Sequence, residues 1–118
     1  MEAVGSLEKT VNGMVLCYIE PPQEDQPGAH VRITVAPQRV FIERGGEFSS
    51  RMLFVPGRRC LCQYDTPYGA LILHTQCREL ESTMDEHGGR LYVTYTLDSG
   101  TEQCDDCMME ILVEEVSV

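Results

Sequence analysis

Apolar and polar residues alternate along most of the chain with a period of two residues. Val31, Ile33 and Val35 alternate with polar or charged neighbours, and so do the apolar residues of segment 91–97. This period is typical of a β-strand with one buried face, and no segment shows the 3.6-residue period of an amphipathic helix. The pattern therefore predicts an all-β protein. Its predicted strands lie near Gly5–Val11, Met14–Glu20, His30–Ala36, Arg39–Arg44, Phe48–Val55, Arg58–Asp65, Ala70–Thr75, Arg78–Met84, Arg90–Leu97 and Met108–Val116.

Short turn signals separate most of the predicted strands. They are Asn12-Gly13, Gly45-Gly46, Pro56-Gly57, Gly88-Gly89 and Asp98-Ser99-Gly100. Because such short connections join adjacent antiparallel strands, we expect an up-and-down meander. Closure into a barrel would remove its exposed edges. Only residues 21–28 have the composition of a longer loop, and we expect that loop to be mobile.

The parity of the apolar residues changes between residues 70 and 85. Leu71 and Leu73 lie on one face of the predicted strands, whereas Leu80 and Met84 have the opposite parity. A β-bulge inserts one residue into a strand and so reverses the parity. We therefore expect a bulge or bend near Gln76.

Length and charge limit the classes of function. A chain of 118 residues predicts a single domain, residues 1–118. The formal net charge of −10 repels phosphate backbones, so we expect no nucleic-acid partner. The charge is uneven, because the segment 32–59 is rich in arginine and the segment 79–118 is rich in Asp and Glu. This asymmetry permits a basic and an acidic face.

The N-terminus and the cysteines indicate the compartment. Residues 1–10 hold Glu2, Glu8 and Lys9 but no apolar run, unlike a signal peptide, and no later stretch reaches the roughly 20 apolar residues of a membrane span. We therefore expect a cytoplasmic protein that does not bind membranes. In a reducing compartment the six cysteines are expected to be free thiols.

A zinc site is the main alternative for these cysteines. Cys60 and Cys62 share one face of a predicted strand, and Cys104 and Cys107 have C-x-x-C spacing. Strong zinc signatures pair two C-x-x-C elements. The charges of Asp105 and Asp106, between the second pair, disfavour a reactive thiolate. We expect Cys104 and Cys107 to lie in a solvated acidic turn, with no metal and no cofactor.

Several short strings along the chain resemble one protein family. They are Arg44-Gly45-Gly46, the segment 52–57, the Tyr-x-Thr-Pro-Tyr-Gly pattern of 64–69, and segments 88–91 and 95–97. Together they resemble the YwiB-like family of uncharacterised bacterial proteins, from about residue 13 to the C-terminus. The resemblance implies an antiparallel calycin-like (lipocalin-like) β-barrel with no catalytic residues to carry over. Family members have an additional strand before the position of Gly5, so it also implies incomplete closure at the N-terminal strand.

Six residues are candidates for a ligand site. Arg44 and Arg51 could gather in an anion-binding patch, although pairing with acids such as Glu43 is the alternative. Tyr64, Thr66 and Tyr68 could offer hydroxyls at a barrel mouth, although a hairpin turn formed by residues 66–69 is the alternative.

The last candidate is His74, which shares parity with Ala70 and Ile72 and is expected on a half-buried face. A hydrogen-bonded structural histidine and a catalytic one are both consistent with that position. No other pattern predicts catalytic residues.

These features favour a noncatalytic binding module that takes a small amphiphilic or anionic ligand in the barrel interior or mouth. The alternative is a structural or protein-interaction domain with a filled core, and an enzyme is less favoured than either. Whether the barrel is hollow separates the two hypotheses. An unpaired edge strand would also allow a homodimer, with exposed strands paired across a two-fold axis.

Overall fold

The structure, a computed structural model, describes residues 2–22, 24, 28–100 and 104–116. These residues form one nine-stranded antiparallel sheet in which the strands follow one another in chain order. The predicted all-β meander is thus confirmed. No helix among the described residues is long or apolar enough to span a membrane. The strands are β1 (Gly5–Thr10), β2 (Gly13–Glu20), β3 (Ala29–Ala36), β4 (Arg39–Gly46), β5 (Ser49–Phe54), β6 (Arg59–Thr66), β7 (Gly69–Ser82), β8 (Gly88–Asp98) and β9 (Cys104–Glu114).

The sheet curls into a half-barrel with one apolar inner face. Alternate residues of each central strand are buried, as in β3, where Val31, Ile33 and Val35 belong to the core. Within the described ranges, β1 pairs only with β2, and β9 pairs only with β8. The curled sheet therefore ends in two edges, in agreement with the predicted incomplete closure at the N-terminal strand.

A corner of the half-barrel lies where β5 leaves β6 and meets β7. Thr75 donates its hydroxyl proton to the Leu53 carbonyl over 2.9 Å, and the Gly57 N–H donates to the Cys77 carbonyl over 3.1 Å. The register with β8 shifts between Cys77 and Glu79, so the predicted bulge is present one to three residues beyond Gln76. The prediction of two strands here was wrong, because β7 continues through the bulge.

The start of β9 also differs from the prediction. This strand begins at Cys104 rather than near Met108, so Cys104 and Cys107 lie in a strand and not in a turn. Residues three apart in a strand have side chains on opposite faces. Cys107 shares parity with the inward-facing Met109, whereas Cys104 is exposed. One strand segment therefore does not present both thiols to the same ion.

The predicted hairpin at residues 66–69 is present. Thr66 pairs with Gly69, which leaves Pro67 and Tyr68 as the two turn residues. Gly69 has a φ of +130°, a conformation that favours glycine. The other predicted loop, at residues 21–28, includes residues 23 and 25–27, which lie outside the described residues.

Candidate functional site

The centre of the inner face is filled by side chains. Phe54 on β5 and Tyr95 on β8 meet with ring centroids 4.6 Å apart. The largest side chains with less than 2% exposure include Phe54, Ile33, Leu91, Val40 and Val93, and all five belong to one contiguous core cluster. A core packed in this way has no space for a drug-sized ligand. Any ligand site must therefore lie at an end, an edge or the outer face.

Polar side chains line one end of the inner face. The cross-strand register places Tyr18, Arg44, Ser50 and Tyr64 in one row, interrupted only by Val31. Each shares the parity of core residues on its own strand. Glu20 follows Tyr18 at the same parity. We call Tyr18, Glu20, Arg44, Ser50 and Tyr64 the mouth cluster.

Charge in the mouth cluster is internally compensated. The Arg44 guanidinium lies 2.5 Å from the Glu20 carboxylate. Burial raises the pKa of Tyr18, and the Glu20 charge raises it further while Arg44 opposes both. Tyr18 is therefore a neutral phenol beside an ion pair at neutral pH. The cluster offers hydrogen-bond donors and one guanidinium.

A group of phenols and thiols extends from Tyr64 of the mouth cluster along the inner face. The Tyr64 hydroxyl donates to the Met52 sulfur over 3.7 Å. Burial raises the pKa of Tyr64 and of Cys62, and burial followed by the charge of Cys107 raises the pKa of Tyr95 to about 12. A nucleophilic thiol needs a lowered pKa. This group is therefore suited to packing and hydrogen bonding rather than to nucleophilic catalysis.

The structure places the six predicted ligand residues in four locations. Arg44 and Tyr64 are together in the mouth cluster, close enough for Arg44 to lower the Tyr64 pKa against the larger effect of burial. Thr66 stabilises its own hairpin, because its hydroxyl donates to the Gly69 carbonyl over 2.9 Å and accepts the Tyr68 N–H over 3.2 Å. The Tyr68 side chain is 98% exposed at the hairpin tip.

Arg51 lies on the outer face, opposite Glu43 on β4. It lines an open cleft of about 330 Å³ with His30, Arg32 and Asp65. Among the described residues Arg51 forms no ion pair, and neither does Arg32. Arg44 and Ser50 of the mouth cluster also line this cleft, although Arg44 has inward parity and pairs with Glu20, whereas Arg51 has outward parity.

His74 is also on the outer face, paired in register with Leu61 and Asp98. Its Nδ1 atom is buried, lies 4.0 Å from the Asp98 carboxylate and has no hydrogen-bond partner within the described part of the chain. Asp98 is held by Arg59 at 2.6 Å and by the Gly100 N–H at 2.9 Å. The Arg59–Asp98 pair therefore ties the start of β6 to the end of β8 across β7.

Sequence reasoning missed three members of the mouth cluster, Tyr18, Glu20 and Ser50. The signal for Tyr18 was its parity, which it shares with the buried Met14 and Leu16. The Arg44–Glu20 pair had no local signal, because β3 separates the two strands that carry it.

The open edge of β9 is the second notable surface. β8 and β9 pair without interruption from Gly88–Glu114 to Asp98–Cys104. Among the residues described, no strand pairs with the other side of β9. Met108 and Leu112 on its outer face are 63% and 68% exposed. The strand contains four acids but no lysine, arginine or proline.

Backbone hydrogen bonds show which β9 residues face the open edge. The Arg90 N–H donates to the Thr83 hydroxyl over 3.2 Å, and the Arg90 carbonyl accepts the Thr83 N–H over 2.9 Å. Both groups thus point away from β9. Because directions alternate in an antiparallel ladder, Leu112, which is opposite Arg90, directs its N–H and C=O to the open edge. Glu110 and Met108, at two-residue spacing, do the same.

The fold and these surfaces define an antiparallel β half-barrel with a filled inner face. The chain belongs to the family described as a domain of unknown function, DUF1934, whose model matches residues 1–111. It is 28% identical over 92 residues to the uncharacterized beta-barrel protein YwiB of Bacillus subtilis strain 168, covering 78% of this chain. The match spans 63% of the length of that curated relative.

A solved structure has the same fold. The crystal structure of the ywiB protein from Bacillus subtilis superposes with a TM-score of 0.83 at 24% identity. The match covers 96% of this chain and 75% of the other. The family prediction made from the sequence is confirmed. This chain and the YwiB structure share one β-barrel-like fold.

Proposed function

We propose that this protein is a noncatalytic protein-interaction module that binds another polypeptide along the open edge of β9. The observation that carries the proposal is the unpaired edge of an unbroken eleven-residue strand on a scaffold with a filled inner face. A filled scaffold favours the interaction hypothesis over that of an internal carrier.

The physical basis is that backbone N–H and C=O groups are strong hydrogen-bonding groups that pair wherever a partner is available. An unpaired edge presents rows of N–H and C=O groups that can pair with an added strand. Natural edges are blunted by charged side chains, especially lysine, and by proline, bulges or shortness. β9 carries four acids but neither lysine nor proline and no register shift against β8, whereas β1 has only six residues and includes Lys9. Of the two edges, β9 is the better template for strand addition.

The test is selection from an unbiased library of displayed random peptides long enough to pair with the whole of β9. Leu112→Pro removes an N–H that faces the open edge and leaves the β8 pairing intact, since edge strands accept proline where the N–H faces solvent. Leu112→Ala loses the same side chain but keeps the N–H. We expect selected peptides to bind the wild type and Leu112→Ala and to lose at least about tenfold in affinity with Leu112→Pro.

Thermal unfolding of both variants checks that each remains folded. The proposal is wrong if every selected peptide binds Leu112→Pro as tightly as Leu112→Ala. It is also wrong if the selection returns no binder. Met108→Pro, paired with Met108→Ala, repeats the comparison at a second outward-facing position. We expect proline to weaken peptide binding more than alanine at both positions.

A second function is favoured by the mouth cluster, where one guanidinium lies beside two phenols at the rim of an apolar face. A medium-chain carboxylate could compete with Glu20 for Arg44 and lay its chain against Leu71, which is 53% exposed. We expect octanoate to raise the melting temperature of the wild type and of Arg51→Gln, but not of Arg44→Gln. An equal shift in all three proteins, or no shift in any, would exclude this site.

A further inference from the structure

We infer that the polypeptide recognised by β9 is an extended segment in which a basic residue recurs at every fourth position and apolar residues occupy most positions between. This inference rests on the proposed function, because it specifies the chemistry of the partner at the same edge. It follows from the order of side chains on the two faces of β9.

The outer face of β9 alternates acids and apolar residues. Asp106, Met108, Glu110, Leu112 and Glu114 follow one another at two-residue spacing. Residues directly opposite each other in an antiparallel pair interact, and opposite charges there are favourable. A partner strand therefore gains most from basic residues opposite the three acids and apolar residues opposite Met108 and Leu112. Acids four residues apart require bases four residues apart.

The inner face of β9 sets the remaining positions of the partner. Cys107, Met109, Ile111 and Val113 are only partly buried, and the last three pack against the core on one side. A strand added beyond β9 would carry its own inward side chains next to them. Apolar residues at those positions would extend the core, whereas charged ones would be desolvated without a partner.

The acids of β9 are not fully neutralised within the chain. Arg90 holds Glu110 at 2.6 Å and Arg78 lies 3.4 Å from Asp106, but the Asp106 side chain remains 78% exposed. Glu114 has no ion pair among the residues described. β9 itself carries no basic residue. The strand therefore keeps a net negative charge toward an incoming chain.

The same charges argue against a second copy as the occupant. Pairing β9 with another β9 brings two acidic strands to a spacing of about 5 Å, and like charges directly opposite each other are destabilising. β1 offers only Glu8 and Lys9 over six residues. A basic segment of a different protein fits the edge better than either strand of this chain.

Three synthetic peptides test the inference. The first has the sequence Lys-Thr-Leu-Val-Lys-Thr-Leu-Val-Lys, the second replaces each lysine with glutamate, and the third scrambles the first. Fluorescence anisotropy gives their affinities for the wild type, Leu112→Pro, Leu112→Ala and the neutralised variant Asp106→Asn/Glu114→Gln. The neutralised variant leaves the Arg90–Glu110 pair intact.

We expect the lysine peptide to bind the wild type at least about tenfold more tightly than the glutamate peptide, since several cross-strand charge pairs act together. Its affinity should fall in the neutralised variant and at high salt. It should fall further with Leu112→Pro than with Leu112→Ala, because alanine removes only the apolar contact and keeps the outward N–H. Hydrogen exchange should show new protection at the outward amides of β9.

Two failures are distinguishable. If the glutamate or scrambled peptide binds as tightly as the lysine peptide and Leu112→Pro weakens all of them, the inferred chemistry is wrong and the proposed docking edge stands. If every synthetic peptide and every peptide from the random library binds Leu112→Pro and Leu112→Ala with equal affinity, the proposal that β9 is a docking edge is wrong. A dimer that Leu112→Pro disrupts would show a second copy on β9 and would also overturn the inference.

Discussion

Phe54 and Tyr95 are in contact across the inside of the half-barrel, with ring centroids 4.6 Å apart and ring planes inclined by 54°. The two residues come from β5 and β8, which are not neighbours in the sheet. Their contact therefore depends on the curl of the sheet rather than on strand pairing. The Phe54 side chain is 1% exposed.

Truncation of Phe54 should be among the most destabilising single changes. We expect Phe54→Ala to lower the free energy of unfolding by about 3–5 kcal/mol, because it removes a buried aromatic ring and leaves a cavity. Phe48→Ala is the matched control, since Phe48 is 41% exposed, and it should cost under about 1 kcal/mol. Urea denaturation measures both. Similar losses for the two variants would contradict the inward packing of Phe54.

The hairpin at residues 66–69 should depend on glycine at position 69. An added Cβ at Gly69 meets nothing within 4 Å, so the cost of Gly69→Val comes from its φ of +130° alone. We expect a loss of about 1–2 kcal/mol. Gly45→Val is the control, because Gly45 also has open space but no left-handed φ. Equal melting temperatures for Gly69→Val and the wild type would show that the turn assignment is wrong.

Alkaline pH should destabilise the fold through Tyr95. Burial, and then the Cys107 charge, raises the pKa of Tyr95 to about 12, against an ordinary value of about 10 for tyrosine. Between these values the unfolded chain releases the phenol proton while the folded chain keeps it, so stability is full below pH 10 and falls as pH rises toward 12. Tyr95→Phe should reduce this loss. Phenolate absorbance and denaturant unfolding against pH measure the effect, and a pH slope unchanged by the substitution would contradict it.

The six cysteines should react at graded rates with a thiol reagent. Cys104 is exposed, whereas Cys60, Cys62 and Cys77 are buried. Burial raises the pKa of Cys62 and of Cys77, which lowers the thiolate fraction further. We expect Cys104 to react first and all six thiols to react after denaturation. Cys104→Ser should abolish the fast phase, and fewer than six reactive thiols in denatured protein would contradict the free-thiol prediction.

A homodimer through an exposed strand stays a prediction of the sequence. The charges on the two edge strands favour pairing through β1 rather than through β9. Two copies of β9 bring two acidic strands together, whereas β1 carries one acid and one base, so two copies of β1 meet without net charge repulsion. Sedimentation at several concentrations should show a dimer that Leu112→Pro leaves unchanged. A single monomeric species at all concentrations would contradict the dimer.

The alternation of apolar residues was sufficient to predict the class of fold and most strands. Val31, Ile33 and Val35 could be assigned to a buried face because side-chain direction alternates with each residue in any strand. Turn residues such as Pro67 and Gly69 identified a hairpin because their backbone preferences are local. The resemblance in segments 44–46, 52–57, 64–69, 88–91 and 95–97 identified the family for the same reason, since it rests on local sequence.

Only the tertiary structure decided the features that depend on distant parts of the chain. It showed β7 to be one strand, because the bulge at Cys77–Glu79 is held by β8 and by the Gly57 N–H in the connection between β5 and β6. It also placed Cys104 in a strand, because pairing with β8 outweighs the local signal of the acids beside it. The Arg44–Glu20 pair, the cleft that Arg44 and Arg51 both line and the open edge of β9 all follow from the curl and extent of the sheet. These features depend on contacts between strands that are far apart in sequence, and no local pattern of residues predicts such contacts.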